Sequence, residues 1–416
     1  MDQHDLSKAT FSRRGFLTGL STAAAGGVIA AASSAAQAHA NSTEPNADSS
    51  PFLREQKHVF YGAHQAGIST PGQAHLNLIA FTIRNGVDAK GVQRLLRLWT
   101  EDAARLTQGK TPLGDLEPEM VVTPANLTIT CGFGARFFDL IGKSDRRPSW
   151  LGPLPKFKRD ALQKEWGEAD MVLQICSDDP LTLSHATRHM IRAGIDYVST
   201  RWFQQGFLHA NGGLEQGETP RNLFGLKDGT INPASESEYD DIVWIDSGPK
   251  WAKGGSCMVV RRITMNLDTW EILDRQSREI AFGRTLDTGA PLSGGDEFTQ
   301  ADFEKSDHLG LPMIDPLSHM ARSAPPEDKP NQKLRRRAYN YDLAPEMGSE
   351  TTSNAGLVFI CFQKDPLEQF VPIQERLDEA DRLNQWISHI GSAVFFCPPG
   401  VGKGHDEYWG AGIFEA

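Results

Sequence analysis

The chain has 416 residues, 39% of them hydrophobic and 23% charged, which places it among ordinary globular proteins long enough for two domains. Its net charge of −11 argues against nucleic acid or an anionic membrane surface as partner. The five cysteines (Cys131, Cys176, Cys257, Cys361 and Cys397) are odd in number and form no Cys-x-x-Cys pair, so they read as buried free thiols and exclude zinc or iron–sulfur spacing.

At the N-terminus, Ser12-Arg13-Arg14-Gly15-Phe16-Leu17 leads into a weakly apolar run, and Ala36-Gln37-Ala38-His39-Ala40 offers small-residue cleavage after Ala38 or Ala40. Charged region, apolar run and small-residue site are the parts of a secretory signal, and the paired arginines are those of the twin-arginine type. The run is rich in Ala and Gly and short for a bilayer span, so residues 1–40 are predicted to be a removable signal and not an anchor. The twin-arginine translocase carries folded proteins, which predicts a periplasmic protein that acquires its cofactor before export. Asp2 and Asp5 against Lys8, Arg13 and Arg14 give this segment +1, leaving −12 on the rest. Residues 41–53 are polar and read as a flexible tether.

Two segments with the same order of elements follow. In residues 54–212, a strand is predicted at 76–83, and Val92, Leu95, Leu96, Trp99, Ala103 and Leu106 recur at helical spacing. Strands at 126–133 and 171–176, a helix at 180–193 and a strand near 196–208 complete it. In residues 213–416, strands are predicted at 257–265, 338–343, 357–363 and 393–397, with helices at 267–280 and 367–377. The order β-α-β-β-α-β, written twice, predicts an α+β fold of two ferredoxin-like domains whose antiparallel sheets pack together. Residues 284–334, rich in Gly, Pro and charge, are predicted to be a long loop, and loops of that length in compact domains are usually functional.

The chemistry concentrates in the second half. In Asn222-Leu-Phe-Gly225-Leu-Lys-Asp228-Gly229-Thr230-Ile-Asn232-Pro233, Asp-Gly is by local physics a turn signal. Glycine-bounded turns around one acid could equally present a carboxylate to a flat ligand, because Gly lets the backbone approach. The stretch resembles the Gly-x-x-Asp-Gly motif of dye-decolorizing peroxidases through Gly225, Asp228 and Gly229, with Thr230 and Asn232 following. Ser318-His319 resembles that family's Ser-His, and Leu334-Arg335-Arg336-Arg337-Ala338-Tyr339 its Arg-Arg-Gly segment, with Ala338 in place of the glycine. The likeness extends through 60–71, 127–133 and 357–366, and therefore over essentially the whole chain after the signal.

The resemblance implies one haem b per chain, held in the C-terminal half with His319 as the iron ligand. It implies Asp365 as the carboxylate behind His319, although Lys364-Asp365-Pro366 also reads as an ordinary turn. Asp228 would take a proton from hydrogen peroxide and return it to the departing oxygen, and Arg337 would stabilise the developing negative charge. An aspartate in that role favours activity at low pH. Arg284 is a candidate for a haem propionate, since a fixed cation suits a carboxylate. Together with the signal, the likeness suggests the exported branch that includes deferrochelatases. The partners it implies are hydrogen peroxide, a reducing substrate such as a dye, phenol or ferrous iron, iron-uptake proteins, and a second copy as homodimer. The alternative is a periplasmic haem-binding or iron-release protein without peroxidase turnover. Among the other histidines, His185 and His189 fall four apart on a predicted helix, but the sequence shows no third ligand beside them, so they read as structural.

Overall fold

Runs of β-branched and aromatic residues too short for helices become strands. The computed structural model describes residues 52–415 apart from 216, 346 and 405; the predicted signal and nearly all of the tether lie outside them. Its strands are β1 (His75–Ile83), β2 (Thr128–Phe133), β3 (Met171–Ser177), β4 (Val198–Phe207), β5 (Ser256–Met265), β6 (Arg335–Arg336), β7 (Tyr339–Leu343), β8 (Asn354–Gln363) and β9 (Ile387–Cys397). The helices are α1 (Ala89–Leu106), α2 (Ala135–Leu140), α3 (Pro180–Ala193), α4 (Glu236–Ile242), α5 (Leu267–Trp270), α6 (Arg275–Phe282), α7 (His319–Ser323) and α8 (Phe370–Ala380), followed by a last turn at Ala411–Phe414. No helix among the described residues is long and apolar enough to cross a membrane.

Local signals explain most boundaries. Asp88 caps α1 by accepting from Gly91 N, and Asp179 caps α3 by accepting from Thr182 N. The single helix expected at 267–280 is two, because Asn266 and Asp274 each cap a separate start. The short α4 was not expected, although Ser235 and Glu238 form a capping box at its start.

The strands make one sheet, in the order β5-β9-β2-β3-β1-β4-β7-β8-β6, and β8 pairs back onto β5. Eight strands thus close into a ring, and β6 lies in line with β7 on the same edge of β8, since β5 occupies the other edge. This corrects the expectation of two separate sheets packed together. Within each half the strands do lie in the order fourth, first, third, second, but the halves join edge to edge. The seams are thin: Phe133 opposite Phe396, and Phe207 opposite Asn340. Closure leaves no free edge along the ring, a feature that suppresses edge-to-edge pairing with other chains.

Strand alternation sends successive side chains inward and outward. Met258, Val260, Val358, Ile360 and Phe362 pack in one buried cluster, whereas Ile263, Met265 and Leu357 pack in another with Phe224 and Trp270. The second group covers the outer face of β5 and β8, and it is on this face that the candidate site lies.

Candidate active site

A cavity opens against that outer face. Its walls are largely apolar: Met265, Leu357 and Phe359 from the strands, Phe370, Ile373 and Leu377 from α8. Into this apolar slot project His319, Asp228 and Arg336, together with Arg261, Lys333 and His389.

His319 begins α7, where Ser318, fully buried, caps the helix by accepting from Ala321 N. Its Nδ1 lies 2.6 Å from Oδ2 of Asp381, whose side chain is 1% exposed. Oδ1 of the same carboxylate accepts from Leu383 N at 2.9 Å. An ionised carboxylate only accepts, so Nδ1 carries the proton and Nε2 keeps its lone pair for a metal. Phe282, at the end of α6, stacks on the imidazole at 5.7 Å. Gly283 makes that approach feasible: its φ is +98°, and a Cβ there would stand 2.9 Å from Ser318 Oγ. Arg382 clasps Asp315, and Arg382 N donates to Leu317 O, so the ligand loop is tied to the segment carrying Asp381.

Asp365, the expected partner of His319, is not there. Its carboxylate accepts from Leu367 N at 2.8 Å, the ordinary turn that its Asp-Pro context also predicted.

Asp228 contributes a buried Oδ1 with no hydrogen-bond partner, and Nη2 of Arg336 stands 3.6 Å from it. Asn232 fixes Arg336 through both its amide groups: Arg336 N donates to Oδ1 at 2.8 Å, and Nδ2 donates to Arg336 O at 2.9 Å. Gly229, with φ +126°, keeps clear the space in which a Cβ would meet that Nδ2 at 3.0 Å. Gly225 also takes a positive φ, +79°, in the turn where its N donates to Asn222 O. Thr230 faces away, donating to Glu297 at 3.1 Å.

Arg337 does not reach this cavity, which corrects the sequence reading by one residue. β6 pairs Arg336 with Cys361 and Arg335 with Phe362, so Arg336 shares the outer face of β8 and its neighbours turn inward. Arg337 is 3% exposed and donates to Thr70 O at 2.7 Å and to Gln73 Oε1, beside Tyr339. Arg284 is likewise occupied elsewhere, donating to Gly289 O and Glu297 O at 2.8 Å each within its own loop. The cavity's cations are instead Arg336, Lys333 and Arg261, the last ion-paired with Asp160. His389 is buried with Nδ1 unpartnered, and burial together with Arg261 pushes its imidazole down to about 3, so it is neutral. Sequence reasoning passed over Asp381, Arg336 and Arg261. Only Arg336 carried a usable signal, the alternation of a strand, and that required its register.

An apolar slot, an imidazole with a free lone pair and a carboxylate behind it, an unpartnered acid and a set of cations fit a flat, anionic, iron-bearing group. These are the requirements of haem b. All five cysteines are free and buried, as expected.

The comparisons agree with this chemistry. Residues 65–208 match the family model described as Dyp-type peroxidase, N-terminal, and residues 219–402 match Dyp-type peroxidase, C-terminal. The chain is 35% identical over 419 residues to a dye-decolorizing peroxidase of Thermobifida fusca, covering 96% of each. It is 34% identical over 407 residues to a deferrochelatase of Escherichia coli K12, covering 94% of this chain and 95% of that one. A crystal structure of a DyP-type peroxidase from Cellulomonas bogoriensis superposes with a TM-score of 0.83 at 43% identity, over 88% of this chain and 99% of the other.

Proposed function

The chain belongs to the Dyp-type peroxidase family, and from that premise we propose which of its residues carry the reaction of a haem-dependent peroxidase. When bound, the haem supplies redox-active iron that takes oxidising equivalents from hydrogen peroxide and delivers them to a reducing substrate. His319 would hold the iron through Nε2, and Asp381 fixes its tautomer and raises its basicity. Asp228 takes a proton from hydrogen peroxide and gives it back to the departing oxygen. Arg336, permanently charged, stabilises the negative charge that develops as the O–O bond breaks. Lys333 is the cation available to a haem carboxylate, since Arg261 is held by Asp160. The observation that carries this reading is the buried, unpartnered Oδ1 of Asp228 beside Arg336 in the cavity that His319 also lines.

The test is an assay of the haem-loaded protein with hydrogen peroxide and, in parallel, an anthraquinone dye and ferrous iron. Peroxide-dependent turnover of either donor is the expected result. A second reading, removal of iron from haem, is favoured by the near full-length likeness to the deferrochelatase. It would yield metal-free porphyrin, detectable by its fluorescence, without consumption of a donor.

The two halves, 54–212 and 213–416, are read as two copies of a ferredoxin-like unit merged into the ring. Export by the twin-arginine translocase to the periplasm rests on Arg13 and Arg14, which lie outside the described residues. Changing both to Lys should leave the protein in the cytoplasm with haem bound, and continued export would contradict the assignment. Iron-uptake proteins and a second copy are the partners this setting suggests.

A further inference from the structure

The N-terminal half contains a second cluster of ligating side chains. α3 carries His185 and His189 four residues apart on one face. Three acids meet them from elsewhere in the chain: Asp102 on α1, and Asp115 and Glu117 from the loop after it. Burial is close to complete for four of the five: His185 is 2% exposed, His189 4%, Asp102 4% and Asp115 7%.

The contacts within the cluster leave one atom unexplained. His189 Nε2 is 2.8 Å from Asp102 Oδ2 and so donates its proton there. Its Nδ1 then carries a bare lone pair, buried and without a hydrogen-bond partner. That lone pair sits 3.7 Å from Asp115 Oδ2, too far for a hydrogen bond even if Nδ1 were protonated. A lone pair facing a carboxylate oxygen in a dry site is repulsive, and burying it unsatisfied is costly. His185 Nε2 approaches the same Asp115 Oδ2 at 2.7 Å.

We propose that His185, His189 and Asp115, with Glu117 as a fourth and more exposed ligand, bind a first-row divalent transition-metal ion of the zinc or ferrous class. Ligands about 2.0–2.2 Å from such an ion lie roughly 3–3.5 Å from one another. The separations of 2.7 Å and 3.7 Å from Asp115 Oδ2 bracket that range, and His189, which stands outside the tightest group, would move inward to join it. Ligand atoms of Asp115, Glu117 and His185 already lie within 4.8 Å of one another. Two imidazoles with carboxylates select a borderline ion over calcium or magnesium. Asp102 orients His189 from behind, as outer carboxylates do for metal-bound histidines. The Glu117 side chain is 57% exposed and gives the ion a way in from solvent.

Zinc is the probe, because it is redox-silent and distinguishable from haem iron by elemental analysis. The haem-loaded full chain is dialysed against micromolar Zn²⁺, and bound zinc per chain is measured by mass spectrometry. One zinc per chain is expected, with at least a tenfold loss of affinity in His185→Gln and Asp115→Asn and an unchanged haem absorption spectrum. Because those positions are buried, Glu117→Gln on the surface serves as the variant that folds in any case, and it should weaken zinc binding severalfold. No retained zinc in the unmodified protein, or the same zinc affinity in Glu117→Gln and Asp115→Asn as in the unmodified protein, overturns the proposal.

Discussion

His319 Nδ1 donates to Asp381 Oδ2 across 2.6 Å, and the two residues stand 62 positions apart in the chain. The carboxylate gives the imidazole anionic character, which favours the ferric form of a bound iron. Asp381→Asn keeps the shape and removes the charge. It should retain haem, raise the ferric/ferrous reduction potential, and lower peroxidase turnover by about 10–100-fold, the usual size of such outer-sphere changes. Potentiometric titration followed by absorption checks this. Asp365→Asn should leave both quantities unchanged, and His319→Ala should abolish tight haem binding.

Arg337 lies inside the ring, where its guanidinium meets Thr70 O and Gln73 Oε1. Arg337→Leu strips both acceptors of their buried donor, at a cost on the order of 2–4 kcal/mol. Urea unfolding of the haem-loaded variant should show that loss of stability, while its reaction with hydrogen peroxide keeps the normal rate. A slowed reaction in a fully folded Arg337→Leu protein would return the arginine to the role the sequence first suggested.

Glu168 sits beside β9, where Oε2 accepts from Val394 N at 3.3 Å, and burial pushes its carboxyl up to about 7. A raised carboxyl favours the protonated form in the folded state. Its contribution is therefore fully present below about pH 4.5 and is lost as pH rises through about 7. Glu168→Gln mimics the protonated form and should be more stable than the natural protein at pH 8, on the order of 2 kcal/mol, with the difference vanishing by pH 4.5. Thermal melts across that range measure it. Equal stability at pH 8 would mean that the charged carboxylate is tolerated there.

What could be read from the sequence follows from what is local. The periodicities of 76–83 and of Val92 to Leu106 marked β1 and α1, because one buried face imposes its spacing on the chain. The proposed acid Asp228 and the proposed iron ligand His319 stood out because each sits in a short stretch, Gly225-Leu-Lys-Asp228-Gly229 and Ser318-His319, that resembles a family motif. Ring closure was not legible, since it depends on single pairs such as Phe207 with Asn340 between residues far apart in the chain. Three consecutive arginines, 335 to 337, offer no clue to their faces until the pairing with β8 is known. Asp381 was hidden because it follows a helix, and its meaning arises only where α8 ends beside the His319 loop. The acids around His185 and His189 were hidden in the same way, 70 and 87 positions from their partners.

The most direct measurement mixes hydrogen peroxide with haem-loaded Asp228→Asn and Arg336→Leu in a stopped-flow instrument and follows the haem absorption band. Haem content should match the natural protein in both, since neither residue holds the iron. Loss of a positioned proton acceptor is worth ~10²–10⁴ in rate, and loss of a charge aimed at the breaking bond ~10²–10³. Both variants are thus expected to react with peroxide at least a hundredfold more slowly than the natural protein. Reaction of either variant at the natural rate, with haem fully bound, would contradict the assignment of Asp228 and Arg336 as the pair that cleaves the peroxide bond.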